Sequence, residues 1–334
     1  MIRQSHTSRP LLVVIGDLDG RLPPGLDTIT DRVSVHEVDK SSEVARVLPD
    51  AEIVLLWDFS SGSLRQHFHL ARRLRWVHVA GAGVDAVMSS EIAASDVVVT
   101  NARGVFNQSI AETVVAMMLL FAKDIIKTIA LQSRLTWLHR DTEMLAGQTA
   151  LIVGAGEIGR AIGRSVGVLG VEVTGVATSE RHDEDLGLVR SVSDLDTLLP
   201  AADFVVLVLP LTDLTRGLIG AEQLNLMKKT ARLINVGRGQ LVDEGALIAA
   251  LQSKSIGGAA LDVFHTEPLP PDNPLWAMPN VMVSPHMAAD FHGWLDALAD
   301  QFYENLGRWL RGRPLLNVVD KELGYAPGTA TPTA

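Results

Sequence analysis

Short, continuous apolar runs alternate with helical patterns along most of this chain. One series spans residues 11–15, 33–38, 53–57, 76–79 and 97–100, and a second spans 149–153, 171–176, 204–209, 232–236, 258–263 and 281–284. Strands this uniformly apolar are buried on both faces, the condition of a parallel sheet clad in helices. The pattern predicts an α/β chain built as two doubly wound parallel-sheet domains.

Two longer helical patterns accompany the strands. Residues 107–137 read as one helix, entered through a capping box in which Ser109 is followed three residues later by Glu112. Its Met117, Met118, Leu119 and Leu120 read as packing, between domains or against a second subunit. Residues 290–312 place Trp294, Leu298, Phe302, Leu306 and Trp309 at roughly helical spacing. A helix this late is expected to return over the first domain and make that domain discontinuous. The expected division is 1–103 with 291–324, then 104–290 carrying a helix and arm at 107–147. The tail 325–334, rich in Pro, Ala and Thr, reads as disordered.

Composition narrows the class without choosing a function. The 334 residues are 47% hydrophobic and 20% charged, as expected of a globular chain with about two domains. A net charge of -10 argues against nucleic acid or an anionic membrane as main partner. With no cysteine, disulfides, thiolate metal sites and a cysteine nucleophile are excluded. The ten histidines lack HExxH spacing, so no metal site is expected. The first residues lack the apolar segment of a signal peptide, and the longest apolar run, 114–122, is too short to span a bilayer. A cytoplasmic protein is the expectation.

The most specific chemistry lies in 149–181. A strand ends in Gly154-Ala155-Gly156-Glu157-Ile158-Gly159, a helical pattern follows, and a second strand completes a βαβ unit. This is the dinucleotide fingerprint in its required context. Gly154 permits the tight turn, Gly156 lets the backbone approach a pyrophosphate, and Gly159 lets the helix pack close. The helix N-terminus then offers free N–H groups to the phosphates.

Three polar signals follow successive strands of the same series: Arg238 after 232–236, Glu267 after 258–263, and His286 after 281–284. Ligands of open parallel sheets bind beyond the carboxyl ends of the strands, so the three converge on the dinucleotide edge. Taken singly, each has a plain reading: a solvated loop Arg, a Glu–Pro turn, a strand-end His. Together they suit hydride transfer at a carbon bearing oxygen. His286 moves the proton near neutral pH, and Glu267 favours the imidazolium and fixes its tautomer. Arg238 offers a planar fork to a substrate carboxylate and polarises the neighbouring carbonyl.

These segments resemble the D-isomer-specific 2-hydroxyacid dehydrogenases over about residues 50–320. The stretches that carry the likeness are VAGAGVDAV (79–87), GAGEIG (154–159), LPLT (209–212), INVGRGQLVDEGAL (234–247), ALDVFHTEPLP (260–270) and SPHMA (284–288). The resemblance implies a Rossmann nucleotide-binding domain and a flavodoxin-like substrate domain, with the active site in the cleft between them. It implies NAD(P)H-dependent reduction of a small 2-oxo acid to a D-2-hydroxy acid, and the reverse, in the manner of glyoxylate/hydroxypyruvate reductases. Arg238, Glu267 and His286 become the catalytic set, and Asp262 contacts the nicotinamide carboxamide. Leu209, Pro210, Val236, Gly237 and Ala288 join the cofactor contacts. The backbone N–H groups of Ala82 and Gly83 grip the substrate carboxylate. Trp57 and Phe59 are candidates to wall the substrate pocket, for an apolar 2-keto acid or to narrow it for glyoxylate. The resemblance also implies a homodimer built on the helix and arm, with Trp137 the candidate to enter the neighbour's site. Glu267 stands where formate dehydrogenases carry Gln, which argues against formate. A nucleotide-sensing corepressor on the same fold is the alternative.

The cofactor is either NADP or NAD. The second strand of the nucleotide series ends at Ala177, without the Asp or Glu that holds the ribose hydroxyls of NAD. Thr178, Ser179 and Arg181 suit a 2′-phosphate and favour NADP, while Glu180 is placed to turn inward to a ribose instead.

Overall fold

The computed structural model describes residues 9–18 and 20–326. The two apolar series become two sheets. The first holds β1 (Leu11–Ile15), β2 (Ser34–Val38), β3 (Ile53–Leu56), β4 (Trp76–Val79) and β5 (Val98–Asn101), all parallel, in the order β2-β1-β3-β4-β5. That is the flavodoxin order. The second holds β6 (Thr149–Val153), β7 (Glu172–Ala177), β8 (Arg181–Asp183), β9 (Gly187–Ser191), β10 (Phe204–Leu207), β11 (Arg232–Asn235), β12 (Gly258–Leu261) and β13 (Val281–Val283). Its order is β13-β12-β11-β10-β6-β7-β9-β8, parallel except where β8 runs against β9. Strand order reverses between β6 and β10, which makes a topological switch point.

The chain divides into two compact units, one running to Val105 and resuming at His292, the other Phe106–Phe291. The central strands of both sheets are buried on both faces; Val54, Leu55, Val205 and Val206 are wholly buried. In the first unit the helix Trp294–Leu310 buries Leu295, Leu298, Phe302 and Leu306 at helical spacing. Phe302 stacks on Trp76 of β4 at 5.4 Å between centroids, and burying such a ring contributes about 1.5–3 kcal/mol.

Three expectations are corrected. The stretch 107–137 is two helices, Asn107–Ala122 and Ile125–Ser133, and Trp137 lies beyond both. Asp124 breaks them by adopting φ +49°, held there by Arg140, whose Nε meets its Oδ2 at 2.7 Å and whose Nη2 meets its carbonyl. Ser109 is not a cap: the first helix starts at Asn107 behind Phe106 with no side-chain cap, and the Ser109 hydroxyl points elsewhere. Disorder from Tyr325 is also overturned, since Tyr325 pairs with Asp320 and Ala326 is buried. The remainder of that tail, from 327, lies outside the described residues. Two short strands, β8 and β9, were not anticipated.

Candidate active site

The glycine turn lies at the carboxyl end of β6, at the switch point. A Cβ on Gly159 would fall 1.9 Å from the Gly154 carbonyl oxygen, so the helix Glu157–Gly167 seats this close only through glycine. At Gly156 the situation is the reverse. Among the described residues nothing lies within 4 Å of where its Cβ would be, and no side chain caps the helix. The helix N-terminus is therefore uncapped and open at Gly156, the condition under which a pyrophosphate can approach it. Glu157 accepts from Asn107 Nδ2 at 3.3 Å, and Ile158 is half-buried.

Beyond β7, Thr178 and Ser179 are exposed. Arg181, opening β8, turns back so that its Nη2 donates to the Ala155 carbonyl at 2.9 Å, placing a guanidinium beside the glycine turn. Glu180 is drawn the other way, 3.5 Å from Arg190. The β8–β9 hairpin is pinned by Asp183, which accepts from Arg160 Nε at 2.8 Å. Burial pushes the Asp183 carboxyl up, but hydrogen bonds from Arg160 and the Asp185 N–H outweigh it and hold the group below its ordinary value.

Three turns bring Arg238, Glu267 and His286 to the carboxyl ends of β11, β12 and β13. Buried Asn235 shapes the first: its Oδ1 accepts from Gly237 N at 3.1 Å and its Nδ2 donates to the Arg238 carbonyl at 2.9 Å. The Arg238 Nη1 donates to the Gly237 carbonyl. Gly239 then lies against the Phe264 backbone, where a Cβ would meet the carbonyl carbon at 2.0 Å. That close approach joins the Arg238 turn to the one bearing Glu267. The Glu267 Oε1 accepts from the Phe264 N–H at 2.9 Å, and its Oε2 from His286 Nδ1 at 2.7 Å. Burial raises the Glu267 carboxyl, yet the His286 and Phe264 hydrogen bonds and the charges of His286 and Arg238 leave it net below the usual carboxylate value. Both side chains are 36% exposed. Among the described residues, the His286 Nε2 has no partner.

His286 itself stands at φ +54°, a left-handed conformation that costs a non-glycine residue roughly 1–3 kcal/mol and persists only when its surroundings impose it. Asp262, 2% exposed, supplies part of that constraint. Its Oδ1 accepts from Ser284 Oγ at 2.5 Å and Met287 N at 3.0 Å, and its Oδ2 from Ala288 N at 2.9 Å. The Ala288 carbonyl accepts from Ser109 Oγ and Thr113 Oγ1, each at 3.1 Å. Sequence reasoning assigned no role in the site to Asn235, Ser109, Thr113 or Ser284, because each acts through contacts distant in sequence or through backbone. Val236 and Gly237 are buried in their turn, Leu209 is half-buried after β10, and Pro210 is exposed.

In the other unit, Ala82 and Gly83 follow β4, and among the described residues their N–H groups have no hydrogen-bond partner. Asn101 Nδ2 holds the Ala82 carbonyl at 2.6 Å. Phe59 packs on Gly81. Trp57 is wholly buried, its indole N–H donating to the Arg21 carbonyl at 2.9 Å, so it has no exposed surface to offer a ligand. Among the described residues, no cluster of three or more His, Asp or Glu is arranged to hold a metal ion, and no helix is long and apolar enough to cross a membrane.

The profile of the family described as "D-isomer specific 2-hydroxyacid dehydrogenase, NAD binding domain" matches residues 115–288. The chain is 34% identical over 280 residues to a glyoxylate reductase of Korarchaeum cryptofilum, covering 82% of this chain and 83% of that one. It is 36% identical over 262 residues to glyoxylate/hydroxypyruvate reductase B of Citrobacter koseri, covering 75% and 79%. Among solved structures, an NADPH-dependent glyoxylate/hydroxypyruvate reductase of Sinorhizobium meliloti, in complex with NADP and sulfate, aligns with a TM-score of 0.82 and 30% identity. That alignment covers 95% of this chain and 100% of the other.

Proposed function

The chain belongs to the D-isomer specific 2-hydroxyacid dehydrogenase family, and from that premise we propose that it uses NADPH to reduce a small 2-oxo acid to the D-2-hydroxy acid. It is an NAD(P)-dependent oxidoreductase. The observation that carries the finer reading is the Glu267–His286 pair, 2.7 Å apart with the far ring nitrogen open. Because Nδ1–H donates to the carboxylate, Nε2 is the nitrogen that exchanges the proton. When bound, the cofactor would supply a hydride to the carbonyl carbon. His286 gives the Nε2 proton to the carbonyl oxygen, and in the reverse direction takes it back. Glu267 stays ionised and offsets the imidazolium charge; Arg238 binds the substrate carboxylate and polarises the carbonyl. In the other unit, the consecutive N–H groups of Ala82 and Gly83 are donors of the kind a carboxylate takes.

Arg181, with the hydroxyls of Thr178 and Ser179, favours the 2′-phosphate of NADP, and Glu180 lies 3.5 Å from Arg190. Glyoxylate and hydroxypyruvate are the first substrates to try, by likeness to the named relatives. Absorbance at 340 nm, followed with NADPH or NADH and a panel from glyoxylate to phenylpyruvate, tests the reading. Cofactor oxidation supports it; cofactor binding with no turnover on any 2-oxo acid contradicts it.

The working form is proposed to be a homodimer. Leu135 and Trp137, in the segment after Ile125–Ser133, are 96% and 99% exposed, and Ile129 and Met144 are exposed too. A second copy of the chain would cover these exposed apolar side chains. Light scattering after size exclusion distinguishes a dimer from a monomer, and Trp137→Ser with Leu135→Ser should shift the mass to the monomer.

A further inference from the structure

Ser109 and Thr113 sit one turn apart on the helix Asn107–Ala122, and both hydroxyls converge on one acceptor, the carbonyl of Ala288. A carbonyl oxygen has two lone pairs, so this pair fills it. The Ser109 hydroxyl also lies 3.4 Å from the Asp290 carbonyl, a longer alternative to the same proton. On the other side of the same residue, Asp262 takes the N–H groups of both Met287 and Ala288. Every backbone polar group of Ala288 is thus committed, and the segment is gripped from a helix on one side and from the end of β12 on the other. The residue two positions before Ala288 is His286 in its left-handed conformation.

We propose that Ser109 and Thr113 are positioning residues for His286, holding the 287–288 backbone so that the ring keeps its Nε2 aimed at the reacting atoms. The inference rests on the reading of His286 as the proton-transfer group. Without the two hydroxyls the buried Ala288 carbonyl has no donor, and the segment rotates to find one. The strained φ at His286 then relaxes and the ring leaves Glu267. A displacement near 1 Å at a reacting group is enough to cost on the order of 10²-fold in rate.

The experiment compares the full-length protein with Ser109→Ala/Thr113→Val, Ser109→Ala/Thr113→Ser and His286→Asn, using NADPH with glyoxylate or hydroxypyruvate. In parallel, ¹⁵N-histidine spectra follow the His286 ring in the protein alone, assigned by its loss in His286→Asn. The first double variant should lose roughly 10- to 100-fold in kcat with KM within about twofold, and its His286 signals should lose the Nδ1–H bonded to Glu267. The Thr113→Ser background restores both, since it returns a hydroxyl to the same acceptor. Unchanged kcat and unchanged ring signals in the first double variant, beside an inactive His286→Asn, overturn the clamp and leave the catalytic reading standing. A fully active His286→Asn overturns that reading and the inference with it.

Discussion

The Nδ1 of His286 stands 2.7 Å from Oε2 of Glu267, while the other oxygen of Glu267 takes the Phe264 N–H at 2.9 Å. The carboxylate is therefore oriented by the backbone before it orients the ring. Held below its ordinary value against the opposing pull of burial, it remains ionised through the neutral range. His286→Ala should lower kcat on the order of 10²–10⁴-fold. In Glu267→Gln the ring keeps a hydrogen-bond partner, but the imidazolium loses its counter-charge. The variant should therefore lose kcat in both directions while binding NADPH like the parent protein. Steady-state kinetics in both directions check this, and an unchanged kcat contradicts the assigned role of Glu267.

Arg181 reaches the Ala155 carbonyl with one nitrogen, leaving the rest of its fork for a phosphate. A charge-assisted hydrogen bond contributes about 1.5–3 kcal/mol, or roughly 10- to 100-fold in affinity. Arg181→Ala should weaken NADPH binding by that factor and change NADH binding little. Titration of nicotinamide fluorescence with each cofactor measures the ratio; equal losses for both would point to a structural role.

Gly156 and Gly159 are separated by two residues and face opposite demands. The methyl of Gly156→Ala enters open space, so folding should be unaffected while cofactor affinity falls, because the methyl occupies the phosphate approach. In Gly159→Ala the methyl meets the Gly154 oxygen, and the helix must back away from the turn. That variant should lose thermal stability as well as cofactor binding. Paired melting curves with and without NADPH separate the two effects: Gly156→Ala melts like the parent protein without cofactor and gains little from NADPH.

The strands were readable because burial on both faces leaves nothing but apolar residues to write, as in β3 and β10, and the mapping of motifs to strand ends followed from that. What stayed hidden was decided by contacts between distant residues. Asp124 breaks a pattern that is helical on both sides of it, because Arg140, sixteen positions on, secures its left-handed backbone. The strand β8 is an Arg-His-Asp run with no apolar signature, held in place by Arg160 on Asp183. Ser109 carries a local capping signal, yet its hydroxyl is claimed by Ala288 from the far end of the same unit. The left-handed backbone of His286 likewise has no marker in SPHMA; Asp262, which holds the residues on either side of it, supplies part of the constraint.

His78 on β4 carries a consequence for acid stability. It is wholly buried, its Nδ1 lies 2.8 Å from Thr100 Oγ1, and its Nε2 has no partner. Thr100 also accepts the Trp76 indole N–H at 2.8 Å. One oxygen serves both rings, and no nearby carboxylate stabilises the charged form of the imidazole. Burial accordingly lowers its pKa from 6.5 to about 3. Between those values the unfolded chain binds a proton that the folded chain refuses. The contribution is fully present above pH 6.5 and is lost progressively as pH falls toward 3, by about 1.4 kcal/mol per pH unit where it acts fully. His78→Leu removes this dependence while keeping an apolar side chain among Trp76 and Phe302. Urea midpoints read by near-ultraviolet circular dichroism, which reports the Trp76 stack, should fall more slowly between pH 6 and 4 in the variant. The variant also loses a hydrogen bond, so its midpoint at pH 7 is no guide; the slope is. Equal slopes in the two proteins would mean that His78 takes up its proton inside the fold.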